Sequence, residues 1–274
     1  MSDYWQTAHG HISLNGLLFL GILNVTPDSF SDGGRYITSG AAITQALHLV
    51  GLGASIIDIG AESTRPGAVA VAPDIEWNRL EAVVRTIRNE LPHVPISLDT
   101  RSALVAERGL DAGVAIINDV SGFQDSKMLQ VVKSSNCGLI AMRSRIKNGN
   151  NTMPPYDQQG KSRPNNVIKE LKSIQSKLLS HNIDKERIIL DPGFGFGTSF
   201  VEDSATWNSL GAIPKTLDWP IERFCIGLSR KRFLAWRSGN ASTPPIDRDN
   251  LTAQAHREAI ALGYRIFRTH AAMQ

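Results

Sequence analysis

Eight short apolar runs, each closing on polar residues and separated by helix-like segments, constrain this chain more than any other feature of it. They span residues 17–26, 54–63, 95–100, 115–122, 137–144, 187–193, 223–230 and 264–270. None alternates strictly between apolar and polar side chains, as expected of parallel strands buried on both faces. Strand and helix patterns that alternate this often imply a parallel sheet. Eight repeats predict an α/β protein closed into a (β/α)8 TIM barrel, whose chemistry belongs where the C-terminal ends of the strands feed the loops. The polar exits therefore mark the candidate active face: Asn24, Glu62, Thr64, Asp99, Asn118, Arg143, Asp191, Ser229 to Lys231, Arg268 and His270.

A length of 274 residues suits one such barrel, and no linker separates two cores, so a single domain over residues 1–274 is expected. The balance of 42% hydrophobic and 20% charged residues is that of a globular protein with a sizeable core. Net charge is only +3, with lysines and arginines dispersed among acids, which argues against a nucleic-acid surface. Cys137 and Cys225 both fall inside apolar runs and read as small buried thiols of a reducing compartment, not as a disulfide or a metal pair. The first ten residues lack the basic-then-apolar order of a signal peptide. No apolar run approaches the roughly 20 residues that a membrane helix requires. A cytoplasmic location with no membrane partner is the expectation.

The connections predict helices at residues 39–53, 74–91, 101–112, 165–181 and 250–262, several ending at Gly or Pro. Segments 145–164 and 238–249, rich in Asn, Gly and Pro, predict loops. After the eighth run only residues 271–274 remain, so the expected barrel lacks its regular closing helix. Either a neighbouring subunit or the N-terminal hairpin would then cover that flank, or it is a weak point.

Two loops carry the sharpest chemistry. Asn24-Val25-Thr26-Pro27-Asp28-Ser29-Phe30-Ser31-Asp32-Gly33-Gly34 spends about ten residues where an ordinary strand-to-helix turn needs a few. After the second run, Glu62-Ser63-Thr64-Arg65-Pro66-Gly67 sets a cation beside hydroxyls and a glycine, suited to an anionic oxygen. Asp99, Asn118 and Asp191 end the third, fourth and sixth runs and converge on the barrel mouth. Any one of them alone reads as a strand-end cap. A buried carboxylate is costly unless paired, however, so all three aimed at one cavity point to a polar guest.

These strings, with Asp191-Pro192-Gly193-Phe194-Gly195-Phe196-Gly197, Gly227-Leu228-Ser229-Arg230-Lys231 and Arg268-Thr269-His270, resemble dihydropteroate synthase in order over nearly the whole chain. The resemblance implies a transferase of folate biosynthesis that joins 4-aminobenzoate to 6-hydroxymethyl-7,8-dihydropterin diphosphate, uses Mg2+, and is the target of sulfonamides. It implies that Asp99, Asn118, Met142, Asp191, Lys231 and Arg268 hold the pterin, with Asp99, Asp191, Lys231 and Arg268 acting in catalysis. Asn24, Thr64, Arg65, Arg268 and His270 would hold the diphosphate, Asn24 as the Mg2+ ligand. Phe30, Thr64, Pro66, Phe196, Ser229 and Lys231 would line the aminobenzoate slot, Phe196 reading equally well as core. A homodimer through the late helices is implied as well. A dissociative path suits this chemistry, because the pterin ring stabilises a methylene cation once diphosphate leaves and the enzyme need only stabilise the leaving group and align the amine.

The chain departs from the family pattern in three places. The Met-His-Met after the fifth run reads Met142-Arg143-Ser144, the lysine after Gly-Phe-Gly-Phe-Gly is Thr198, and the Asp after the final His is Ala271. Met142 can still pack on the pterin, and Arg143 is expected to keep a cation near the mouth. Three other readings remain at this point: a non-catalytic or altered-specificity pterin-binding paralogue; a pterin-dependent methyltransferase, which would lack the Ser-Phe-Ser-Asp-Gly-Gly loop and need a corrinoid partner; and a general phosphate-binding barrel, which does not explain the first loop.

Overall fold

A computed structural model of the protein describes residues 2–25, 39–62, 71–145 and 166–271. An antiparallel hairpin, β1 (Tyr4–Thr7) and β2 (Gly10–Ser13), opens the chain. Strands and helices then alternate: β3 (Leu18–Asn24), α1 (Ser39–Gly51), β4 (Ile56–Gly60), α2 (Pro73–Glu90), β5 (Ile96–Asp99), α3 (Ala103–Asp111), β6 (Ile116–Asp119), α4 (Ser126–Ser134), β7 (Gly138–Met142) and α5 (Val167–Ser180). The second half continues with β8 (Ile188–Asp191), α6 (Phe200–Asn208), α7 (Ile213–Leu217), β9 (Cys225–Ile226), α8 (Arg232–Arg237), α9 (Asp249–Leu262) and β10 (Ile266–Thr269). Strands β3 to β10 form one parallel sheet in the order β8-β7-β6-β5-β4-β3-β10-β9. A bridge from Leu190 to Phe224 joins the two edges, so the sheet rolls into a nearly closed barrel. Each of the eight apolar runs is one of its strands.

Alternation along the strands sorts two cores. Phe19, Leu23, Ile57, Ile59, Leu98, Ile117, Leu139 and Leu190 pack outward against buried helix residues such as Ala46, Leu80, Val84, Val105 and Leu171. Leu18, Leu20, Ile56, Ile116, Ile140, Ile189, Cys225 and Ile266 form a separate inner cluster. Two residues further along, the same inward rows become Asp58, Asn118, Met142, Asp191 and Arg268. The barrel is thus apolar inside at its N-terminal end and polar at its C-terminal end. Both cysteines are free and buried, as expected.

The hairpin does not cover the last strand's flank. It closes the barrel's N-terminal end, where the fully buried Trp5 joins the inner cluster and donates from Nε1 to the Arg187 carbonyl at 2.9 Å. Arg223 fastens it further, donating from Nη2 to the Tyr4 carbonyl at 2.6 Å. Along β10 and β3 the cover comes from α9, whose His256 ring lies 4.7 Å from Phe267 and 6.2 Å from Phe19. Burial holds this imidazole neutral, lowering its pKa to about 4. Among the described residues no helix follows β10. The 145–164 loop falls almost wholly outside the described residues, whereas 238–249 contains a 3-10 turn at Pro245–Arg248. Arg248 braces the strand-β9 exit, donating to the Arg230 carbonyl at 2.8 Å.

Candidate active site

The polar layer begins with Asp58, which the sequence reading passed over. Its carboxylate is fully buried and gathers three strands: Ser97 Oγ donates to Oδ1 at 2.6 Å, Arg268 Nε to Oδ2 at 2.6 Å, and Asn118 Nδ2 to both oxygens at 3.4 and 3.3 Å. Arg268 Nη2 reaches on to Asp99 Oδ2 at 2.7 Å. One guanidinium thus ties β10 to β4 and β5, with two carboxylates offsetting one buried cation. These charges raise the Arg268 pKa against the opposing effect of burial.

On the opposite side of the mouth stand Asp191 and Lys231. The Gly193 N–H donates to Asp191 Oδ1 at 2.7 Å, and the Lys231 ammonium donates to the Phe194 carbonyl while lying 4.2 Å from the centre of the Phe196 ring. Gly193 has φ +70°, and a Cβ there would fall 1.7 Å from the Arg143 carbonyl oxygen, so only glycine lets this turn pass β7. Gly227 passes close to this carboxylate, where a Cβ would meet Asp191 Oδ2 in ordinary contact at 3.4 Å. Val120, Met142 and Phe196 form a small buried apolar cluster beside this charged pair. Ser229 Oγ accepts from the His270 N–H at 3.1 Å and lies 3.1 Å from His270 Nδ1, joining the ends of β9 and β10.

Burial sets the protonation of these groups. It raises Asp99 to about 7, aided by the charges of Asp58, Asp119 and Glu62 and opposed by Arg268. It raises Asp191 as well, against Lys231, the Gly193 N–H and Arg268. Burial lowers Lys231 to about 8, against the charges of Asp191 and Asp203. A flat, polar guest would meet acceptors, donors and a cation around one opening, beside an apolar surface.

Comparison with known proteins agrees with that chemistry. Residues 20–270 match the family described as pterin binding enzyme. A dihydropteroate synthase of Bacillus subtilis strain 168 is 37% identical over 254 residues, 92% of this chain and 83% of that one. The chain belongs to the dihydropteroate synthase family. Among solved structures, Xanthomonas albilineans dihydropteroate synthase with 4-aminobenzoic acid superposes with a TM-score of 0.83 at 32% identity, covering 99% of this chain and 94% of that one. The Burkholderia cenocepacia dihydropteroate synthase complexed with 7,8-dihydropteroate gives 0.81 at 30% identity, covering 98% and 91%.

Seen as a dihydropteroate synthase site, the geometry unites Asp99, Asn118 and Arg268 through Asp58, and Asp191, Lys231, Phe196 and Met142 around the turn after β8. Asn24 ends β3, half-buried, beside Gly60 of β4. Phe30, Thr64, Arg65 and Pro66 lie outside the described residues.

Arg143 is not a cation at the mouth. Its side chain is 1% exposed, pairs through Nε with Glu170 of α5, and donates from Nη1 to the Pro192 carbonyl at 3.2 Å. Its charge is spent on holding the loops after β7 and β8. Arg145 works beside it, donating from its N–H to the Phe196 carbonyl at 3.1 Å and pairing with Glu202 of α6 at 2.6 Å. Thr198, standing where the family pattern has lysine, accepts the Gly195 N–H at 3.0 Å. At this position the chain supports its loop with a hydroxyl. Asp203, also missed from sequence, accepts the same N–H at 3.0 Å. Its signal was an acid on the buried face of a short helix; that of Asp58 was a single carboxylate within an apolar strand.

Proposed function

We propose that this protein acts as a dihydropteroate synthase, joining 6-hydroxymethyl-7,8-dihydropterin diphosphate to 4-aminobenzoate and releasing diphosphate. The observation that carries this reading is the polar ring of Asp99, Asn118, Asp191, Lys231 and Arg268 standing above an apolar barrel floor, with Met142 and Phe196 beside it. The carboxylates of Asp99 and Asp191 would accept from the pterin's amide and amino groups and favour positive charge developing on the ring. Arg268 and His270 would hold the departing diphosphate, together with Thr64 and Arg65. Lys231, poised over Phe196, would border both the pterin and the aminobenzoate slot lined by Phe30, Pro66, Phe196 and Ser229. The path is dissociative: the methylene C–O bond breaks with its electron pair going to diphosphate, then the amine of 4-aminobenzoate donates its pair to the cationic methylene and loses a proton to solvent.

Mg2+ fits the donors available. Among the described residues no group of three His, Cys, Asp or Glu is arranged to hold a metal. Asn24 supplies a neutral oxygen, which suits an ion that takes most of its ligands from water and substrate phosphates. When bound, it would offset charge on the diphosphate oxygens. Two further parts belong to this reading: a cytoplasmic location, supported by two free buried thiols, and a homodimer through the late helices, which rests on family likeness. Sedimentation at twice 29.9 kDa would support the dimer, and a monomer mass would contradict it.

Calorimetric titration with 6-hydroxymethylpterin tests the site itself. The protein should bind it, and Asp191→Asn should loosen it by about tenfold or more, the worth of a charged hydrogen bond. Equal affinity in both proteins, or none in the first, would contradict the reading.

A further inference from the structure

We infer that Asp58 is a positioning residue, anchoring Arg268 and fixing the sense of Asn118 beneath the pterin site without touching substrate. This rests on the function proposed above. Asp58 lies one inward position below Gly60 on β4 and is 0% exposed, whereas the Asp99 side chain above it is 17% exposed. The two carboxylates share one guanidinium by depth: Asp58 takes Nε at 2.6 Å, and Asp99, nearer the mouth, takes Nη2 at 2.7 Å. A pterin edge arriving at the mouth can take the Asp99 oxygen from Nη2 while Nε stays on Asp58. The guanidinium then keeps its pivot and turns its freed N–H groups toward the mouth, where the diphosphate leaves.

The same carboxylate orients Asn118. Its Nδ2 group points down to Asp58, so the amide oxygen is left facing the mouth as an acceptor. Ser97 Oγ, donating at 2.6 Å, holds Asp58 in the plane that serves both partners. A purely structural carboxylate in this layer would need its three donors but no fixed relation to the residues that meet substrate.

A double-mutant cycle on the full chain tests this. Asp58→Asn keeps the shape and removes the charge; kcat should fall by about tenfold or more while KM for 4-aminobenzoate stays within about twofold. Combined with Arg268→Lys, the double variant should lose no more than the worse single one, because both act through one guanidinium. Losses that multiply would overturn the inference, as would a change confined to the 4-aminobenzoate KM. Ser97→Ala, which leaves every charge in place, guards against misfolding of Asp58→Asn. It should lower kcat by a few-fold in the same manner, and unchanged kcat there would equally count against the inference. Affinity for 6-hydroxymethylpterin, measured on the same variants, separates the two layers of the argument. Wild-type protein that binds the pterin and makes no dihydropteroate would refute the function. The cycle read in affinity would still judge Asp58, expected to show a loss of about fivefold in Asp58→Asn that is not compounded by Arg268→Lys.

Discussion

Burial lowers Lys231 to about 8 and raises Asp99 to about 7, so both are ionised together only in a narrow window. The proposed chemistry needs the carboxylate and the ammonium at once. The pH profile of kcat/KM should therefore be bell-shaped, rising as Asp99 loses its proton near 7 and falling as Lys231 loses its own near 8. A plateau from pH 6 to 10 would contradict these assignments. Truncating Lys231 or Arg268 to alanine should cut turnover at least a hundredfold, about 2.7 kcal/mol of transition-state stabilisation; steady-state rates near those of the wild type would remove the residue from its role. Asp99, Asn118, Asp191 and Arg268 were legible in the sequence because each is polar where an apolar run ends. Asp58 was not, because it sits within Ile56–Gly60, where a run is judged by its apolar neighbours and only the fold reveals that its partners come from β5, β6 and β10.

Element by element, the long amphipathic helices and the short α3 could be read, and the other short helices could not. α2 begins with Pro73 and carries acids in its first turn, then buries Trp77, Leu80, Val83, Val84 and Ile87 at helical spacing. By contrast α6 buries Glu202, Asp203 and Thr206, a polar face that no apolar period can announce; its start is marked instead by a capping box from Ser199 to Glu202. The nine-residue α4 has an Asp125 cap but only Met128, Leu129 and Val132 to bury. α2 also carries an internal acid with a testable consequence. Burial raises Glu76 to about 7, against the hydrogen bond it accepts from Thr100 Oγ1 at 2.8 Å. The native state then holds this proton more tightly than the unfolded chain does, so the contribution of Glu76 to stability declines as pH rises from about 4.5 to 7. Glu76→Gln, which can still accept from Thr100, should gain on the order of 2 kcal/mol at pH 8 and nothing at pH 4. Thermal melts at the two pH values check this, and equal Tm changes at both would count against it.

For the whole molecule, eight apolar runs were enough to foresee a barrel, because closing a parallel sheet buries both of its faces at once. What seals its ends lay beyond that reading. Trp5 fills the N-terminal opening from a hairpin whose role depends on contacts with Gly138, Arg187 and Arg223, far along the chain. Trp5→Ala should cost about 3–5 kcal/mol in denaturant unfolding while leaving the C-terminal mouth unaltered; an unchanged midpoint would mean the plug adds nothing to stability. The polar end of the barrel is where the protein's purpose lies, and one measurement reaches it directly. Purified protein is given the pterin diphosphate, Mg2+ and 4-aminobenzoate, with each omitted in turn, while diphosphate and dihydropteroate are followed together. Equal amounts of the two products, formed only when all three are present, are the predicted result. Pterin binding with no dihydropteroate under any condition would contradict it, and would make this barrel a pterin site put to another use.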